Sequence, residues 1–398
     1  VDTDWQDLGQ TWSEPSLLYA DGYTDGAATP ARKPMLIMGG GYDDCEDVDG
    51  GTGGVNHNCD VNSKGRVILV LDADTGAILK KFTTDRSVAG SVTVVPVNDS
   101  VNASIMYAYA ADTGGHVYRI SGGSVGTPSA IGDATPDTWI MTKIASLGCD
   151  DVSTTCTANR KFLFGPDVVR VPQSNKFGIL VGSGDREKPI LAYGAAAGVQ
   201  NYFFSIIDQP DNPNWLDDDG DDTCGANIIC LGALTQVATG DDYDPALVIG
   251  EKGWRLPLAT EEQVVTGSLT IADVVNFSTH TPAQPAVDSC EGYLGKATTY
   301  SLSYQNASGE VTNITGGGLV PTAVAGMVEL DPDDICDASG NCGSDNEENC
   351  DANGNCDGIL VPFCIGCGGE DSAIGGSIES TGITWSQPIS RVYWNIKK

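Results

Sequence analysis

Val70-Leu71-Asp72-Ala73-Asp74-Thr75-Gly76 runs an apolar stretch straight into a turn, and Tyr109-Ala110-Ala111-Asp112-Thr113-Gly114 does so again. In each, the aspartate can accept hydrogen bonds from its own backbone and the glycine supplies positive φ. Each therefore reads as the end of a β-strand and a tight turn. The Thr-Gly steps ending at Gly76 and Gly114 lie 38 residues apart, close to the roughly 40–50 residues of a propeller blade.

Working outward, short strand-like runs recur at 34–38, 66–71, 77–82, 91–97, 105–111 and 116–120. Others follow at 161–171, 178–181, 202–207, 267–275 and 298–304. Turn residues separate them, which predicts an all-β chain. Helix-like windows such as 259–265 are short. Thr11-Trp12-Ser13-Glu14-Pro15 is echoed by Thr384-Trp385-Ser386-Gln387-Pro388. First and last segments can occupy equivalent places in a closed ring, and closure protects sheet edges. The fold expected is an all-β propeller in one domain, residues 1–398. Two acidic loop-like insertions interrupt it, at about 208–243 and 331–357.

The 398 residues include 54 acidic and 21 basic side chains, a net charge of −33. Such a surface repels phosphate backbones and anionic lipid, which argues against nucleic acid as a partner. Hydrophobic residues make up 40% of the chain, too many for disorder. Fifty glycines, nearly twice the usual share of roughly 7%, fit many tight turns. There is no run of about 18 apolar residues, so no membrane span is expected. Val1 does not begin a signal peptide, and the chain reads as a mature or trimmed fragment.

Thirteen cysteines fall mostly in close pairs. They are Cys45 and Cys59, Cys149 and Cys156, Cys224 and Cys230, Cys336 and Cys342, Cys350 and Cys356, and Cys364 and Cys367. Polar, glycine-rich surroundings suggest disulfides pinning surface loops in an oxidising compartment outside the cytoplasm. Cys290 is left over, either free or paired with Cys364 or Cys367. Zinc is the rival reading, but the intervals vary and no histidines are interleaved.

Three patterns bear on chemistry. Gly122-Gly123-Ser124-Val125-Gly126 matches a hydrolase nucleophile elbow, which needs a strand before it and a helix after it. Thr127-Pro128-Ser129 is poor helix material, and only His57, His116 and His280 could serve as base. Asp72–Gly76 also resembles the blades of quinoprotein dehydrogenases, without their repeated aromatic docking motif or adjacent cysteine pair. Calcium is the stronger proposal, because hard cations want several oxygens from one short loop. Asp337, Ser339, Asn341 and Asp345 form one such series, and Asp351, Asn353, Asn355 and Asp357 another. Asp217, Asp219 and Asp221 are a second choice. Glu347 and Glu348 add charge between the first two series, and a divalent cation would relieve the repulsion.

Val181-Gly182-Ser183-Gly184-Asp185-Arg186-Glu187-Lys188-Pro189 and Asn201-Tyr202-Phe203-Phe204-Ser205-Ile206-Ile207-Asp208 are more specific. With Leu8–Pro15, Met38–Asp43, Leu71–Gly76, Asp112–Arg119 and Lys252-Gly253-Trp254, they resemble, in order, the PilC/PilY family of type IV pilus tip adhesins and assembly factors. The resemblance covers most of residues 8–275, and Trp385-Ser386 resembles the family's closing strand. It implies a modified seven-bladed propeller at the pilus tip or outer surface of a bacterium. It also implies a part in pilus assembly, adhesion and twitching motility, with no catalysis. Its partners would be minor pilins or a tip complex, and a host or abiotic surface.

The sequence departs from the family in places. The family's N-terminal half, with its von Willebrand type A-like domain, has no counterpart. The stretch 98–104, where the family often holds calcium, keeps only Asp99 as an acid. There is no Arg-Gly-Asp. Two further classes stay open: a quinone-dependent dehydrogenase, and a structural subunit of an extracellular filament.

Overall fold

The computed structural model describes residues 5–46, 63–96, 106–124, 127–152, 156–187, 190–191, 194–217, 224, 227–239, 252–271, 273–283, 294–314, 317–330 and 359–365. The chain divides into two compact units, Val1–Ala323 and Val324–Lys398. In the second unit, β21 (Val324–Leu330) and β22 (Ile359–Ile365) pair antiparallel.

The first unit is a series of up-and-down sheets. β1 (Ser16–Leu18), β2 (Met35–Gly39), β3 (Val67–Asp72) and β4 (Ile78–Thr83) form the first, in that spatial order. The second comprises β5 (Thr93–Pro96), β6 (Met106–Ala111), β7 (His116–Ser124) and β9 (Ile140–Ser146). β8 (Thr127–Ser129) hangs from β7 as a hairpin. The third is β10 (Asp167–Arg170), β11 (Phe177–Gly182), β12 (Tyr202–Asp208) and β15 (Gly253–Pro257). In the fourth, β16 (Gln263–Val264) and β17 (Leu269–Ile271) both pair with β18 (Val274–Thr281), followed by β19 (Lys296–Ser303) and β20 (Gly309–Ile314). Four successive antiparallel meanders of this kind are propeller blades. The only α-helical turn among the described residues is Gly194–Ala197.

Side-chain character sorts the strands within a blade. β3, β6 and β11 are buried at every residue, because packing covers both faces of a central strand: neighbouring blades for β6 and β11, and blade two on one face with Trp5 and Leu8 on the other for β3. Their sequences are accordingly continuous apolar runs, such as Val67-Ile68-Leu69-Val70-Leu71. The last strands, β4 and β20, carry Lys80, Lys81, Glu310 and Thr312 and are largely open to water. Charge on an outer strand discourages pairing with another chain.

Among the described residues, three large cores join the blades. Met35, Ile37, Ile68, Val70, Met106, Ala108 and Trp139 fill the space between blades one and two. Tyr107, Tyr109, Phe162, Phe177, Ile179 and Phe204 do so between two and three. Phe203, Trp254, Leu256, Phe277, Tyr300 and Tyr304 do so between three and four.

The insertion after Asp208 holds more than loop. β13 (Ile229–Cys230) pairs parallel with β9 of blade two, and β14 (Thr235–Gln236) returns to pair parallel with β15. Trp215, Leu216, Leu231 and Leu234 bury themselves in the second core, so the segment straps blade three to blade two. The Cys224–Cys230 disulfide closes this strap, and Cys149–Cys156 closes the turn after β9. Cys45 and Cys364 are also disulfide-bonded. Cys59, Cys290, Cys336, Cys342, Cys350, Cys356 and Cys367 lie outside the described residues.

The two Asp-Thr-Gly turns form as their chemistry requires. Asp72 Oδ1 accepts from the Asp74 and Thr75 amides at 2.9 and 2.8 Å, and Gly76 has φ +72°. Asp112 Oδ1 accepts from the Gly114 and His116 amides, with the positive φ at Gly115. They are not equivalent in the fold, however. Asp72 leads from the third to the fourth strand of blade one, and Asp112 from the second to the third of blade two. The same local turn chemistry serves two hairpins, so the 38-residue spacing is not the blade repeat.

Candidate functional site

The turns that follow the second strand are equivalent in three blades. They carry Gly40-Gly41-Tyr42-Asp43, Asp112-Thr113-Gly114-Gly115 and Gly182-Ser183-Gly184-Asp185. Ionic and hydrogen-bonding side chains there form a buried hub. Lys161, 1% exposed, donates to Asp185 Oδ2 and to the Glu46 carbonyl, both at 2.8 Å. The Asp185 amide donates to Gln263 Oε1 of β16 at 2.6 Å, which carries the network into blade four. In blade two, the Asp112 carboxylate accepts from the Arg86 amide and from the Tyr118 hydroxyl, and faces His116 Nδ1 at 3.0 Å. Burial pushes Asp112 up, but the pull of His116 and the bonds from His116 and Tyr118 outweigh it and hold the carboxyl below its usual range.

Glu46 sits in this hub fully shielded from water. Burial raises its pKa, and the attraction of Lys161 and Arg86 does not compensate. The folded state therefore penalises the ionised form. That penalty is complete above the raised folded value and absent below the unfolded value of about 4.5. Glu46→Gln should accordingly raise the melting temperature at pH 8, with the gain shrinking toward pH 4. Circular dichroism melts of both proteins across that range check this. A gain independent of pH would show that Glu46 does not titrate as its burial requires.

A second feature lies where the blades begin. β1, β5, β10 and β17 are edge strands of their sheets and neighbour one another in sequence order. Ser16 Oγ donates to the Val92 carbonyl and Thr93 Oγ1 to the Pro166 carbonyl, each at 2.6 Å. Gly90 and Gly165 let the chains entering β5 and β10 touch. A Cβ on Gly90 would stand 2.1 Å from the Gly165 nitrogen, and one on Gly165 would stand 2.2 Å from the Ser91 carbonyl oxygen. The entries to these four strands surround a cavity of about 720 Å³, within the range of ligand sites. Trp12, Glu14, Phe164, Asp167, Arg186 and Glu187 supply its aromatic and charged lining.

No protein-family model matches the chain, and no curated protein does. Crystal structures similar to it include two of known name. One is the C-terminal domain of PilY1 from Pseudomonas aeruginosa, with 18% identity and a TM-score of 0.48, over 77% of this chain and 62% of that one. The other is the quinohemoprotein alcohol dehydrogenase from Comamonas testosteroni, with 11% identity and a TM-score of 0.29, over 86% of this chain and 48% of that one. The chain spans less than two thirds of either.

The residues singled out for chemistry fare differently. Asp337, Ser339, Asn341, Asp345, Asp351, Asn353, Asn355 and Asp357 lie outside the described residues, as do Asp219 and Asp221. Asp217 is exposed. No group of three or more His, Cys, Asp or Glu side chains able to hold a metal occurs among the described residues. Ser124 ends β7 and turns into β8 rather than into a helix, so the Gly-x-Ser-x-Gly pattern does not build a nucleophile elbow.

Arg186 and Glu187, noticed as part of a motif, and Trp12 and Glu14, noticed as part of an echo, come together at the cavity. Lys161 and Glu46 carry no motif of their own. Their only sequence signal is a lone charge beside an apolar or cysteine-bearing stretch, which is too common to single them out.

Proposed function

We propose that this chain is the propeller module of a surface protein associated with type IV pili, supporting pilus assembly, adhesion and twitching motility. What carries the reading is the placement of the motifs that resemble the PilC/PilY family. Met38–Asp43, the start of Asp112–Arg119, and Val181–Glu187 lie at the ends of the second strands of three successive blades and in the turns after them. Motifs far apart in sequence thus meet at one buried hub, so their order reflects a single physical unit. The Cys149–Cys156 and Cys224–Cys230 disulfides support an oxidising, extracellular location. Minor pilins or a tip complex, and a host or abiotic surface, are the partners of this reading. Calcium held between Asp337 and Asp357 belongs to the same proposal.

A clean gene deletion should reduce surface pili or twitching. Immunogold labelling of native filaments should then place one copy at a filament end. Normal piliation, adhesion and motility in the deletion would overturn the reading. Regular copies along the shaft would favour a structural filament subunit instead.

A further inference from the structure

We propose that the cavity at the entries to β1, β5, β10 and β17 binds a primary alkylammonium group, seated between the Trp12 indole and the carboxylates of Glu14 and Asp167. The inference does not rest on the pilus reading.

Trp12 is 47% exposed, unusual for so large an apolar ring, yet its other side is fixed. It stacks on the fully buried Tyr42 with centroids 4.7 Å apart and planes 7° from parallel. An aromatic face held open at a cavity wall is prepared for a cation or another flat partner. The same cavity already shows that arrangement once, since the Arg186 guanidinium lies over the Phe164 ring at 5.8 Å.

The charge at the wall selects a cation over a neutral ring. Among the described residues of the lining, Glu14 and Asp167 are carboxylates that stand with Arg186 and Glu187. Arg186 makes no ion pair with Glu14 or Asp167 among the described residues. Asp167 lies on the cavity wall and makes no ion pair among the described residues, so its carboxylate offers a charge that a cationic donor can meet. Burial holds the Asp167 pKa up although hydrogen bonds from Thr270 and Val168 pull it down, which agrees with a carboxylate lacking a nearby cation. An alkylammonium group brings three donors and a positive charge on a slim apolar stem. A stem of that kind fits a cavity whose wall also includes Ala89 and Leu163. The ammonium could be a lysine side chain or a chain's α-amine, and the probes separate these.

Calorimetry on the full chain would use N-acetyl-lysine methylamide, a peptide offering only a free N-terminal glycine, and N-acetyl-norleucine methylamide as the uncharged match. One of the two amines should bind at least about tenfold more tightly than norleucine. Asp167→Asn and Trp12→Leu should each weaken it by about tenfold, and Arg186→Gln should tighten it severalfold by removing a like charge. Glu310→Gln, exposed on the outer strand β20 and outside the cavity lining, should change nothing. The gain from Arg186→Gln cannot come from misfolding, so it decides the matter if the loss variants fail to fold. The proposal is overturned if norleucine binds as well as the amines, if neither amine binds, or if Arg186→Gln does not tighten binding. Binding of methyl glucoside in place of the amines would also overturn it.

Discussion

Asp208→Ala is expected to destabilise the first unit by about 3–5 kcal/mol. Asp208 ends β12 of blade three with its side chain fully buried, and Arg119 of β7 in blade two reaches it at 2.7 and 2.8 Å. Tyr109 of β6 donates to the same carboxylate at 2.9 Å. Burial alone would lower the Arg119 pKa, but Asp208 overrides it and leaves it raised, so the cation depends on its partner. Alanine removes that partner and strands a guanidinium in the second core, together with an unpaired phenol. Urea unfolding followed by tryptophan fluorescence measures the loss. The double variant Arg119→Met, Asp208→Leu should recover most of it, since no buried charge then remains. A single variant within about 1 kcal/mol of wild type would show that water reaches this pair.

Phe277→Ala is expected to cost about 3–5 kcal/mol as well, by a different route. Phe203 of blade three, Phe277 of β18 and Tyr300 of β19 form a column of parallel rings. The centroids are 3.8 and 4.7 Å apart, and each step has an interplanar angle of 4°. Phe277 is the middle ring, 2% exposed. Its removal opens a cavity and ends both stacking contacts, and rigid strands on either side limit collapse. The effect should concentrate where blade four docks on blade three. Hydrogen exchange should therefore accelerate in β18 and β19 before it changes in β2 and β3. Uniform acceleration through all four blades would mean that the unit unfolds only as a whole.

Much of the fold was legible in the chain itself. A strand buried on both faces must be apolar at successive positions, so Val67–Leu71 and Phe203–Ile207 announce central strands without any partner being known. Asp-Thr-Gly turns are equally local, because the aspartate and glycine act on their own backbone. That is also why they misled about the repeat: a local turn does not record which pair of strands it joins. The strap within 208–243 reads as a loop because β13 and β14 are two residues each. Pairs so short leave no period, and only the edges of β9 and β15 make strands of them.

The cavity and the hub were hidden for a further reason. Trp12, Asp167 and Arg186 stand more than 150 residues apart at the extremes, and nothing in any one segment marks it as facing the others. By itself, the sequence determined the class of structure. Its apolar runs, glycine turns and cysteine spacing require short strands and pinned loops, because burial, backbone geometry and loop closure act over a few residues. The tertiary structure alone decided which charges meet. Arg119 finds Asp208, Lys161 finds Asp185, and Asp167 shares a cavity wall with the half-exposed Trp12 indole. Which groups share a buried site depends on how blade follows blade, and electrostatic energy depends on distance in space rather than along the chain.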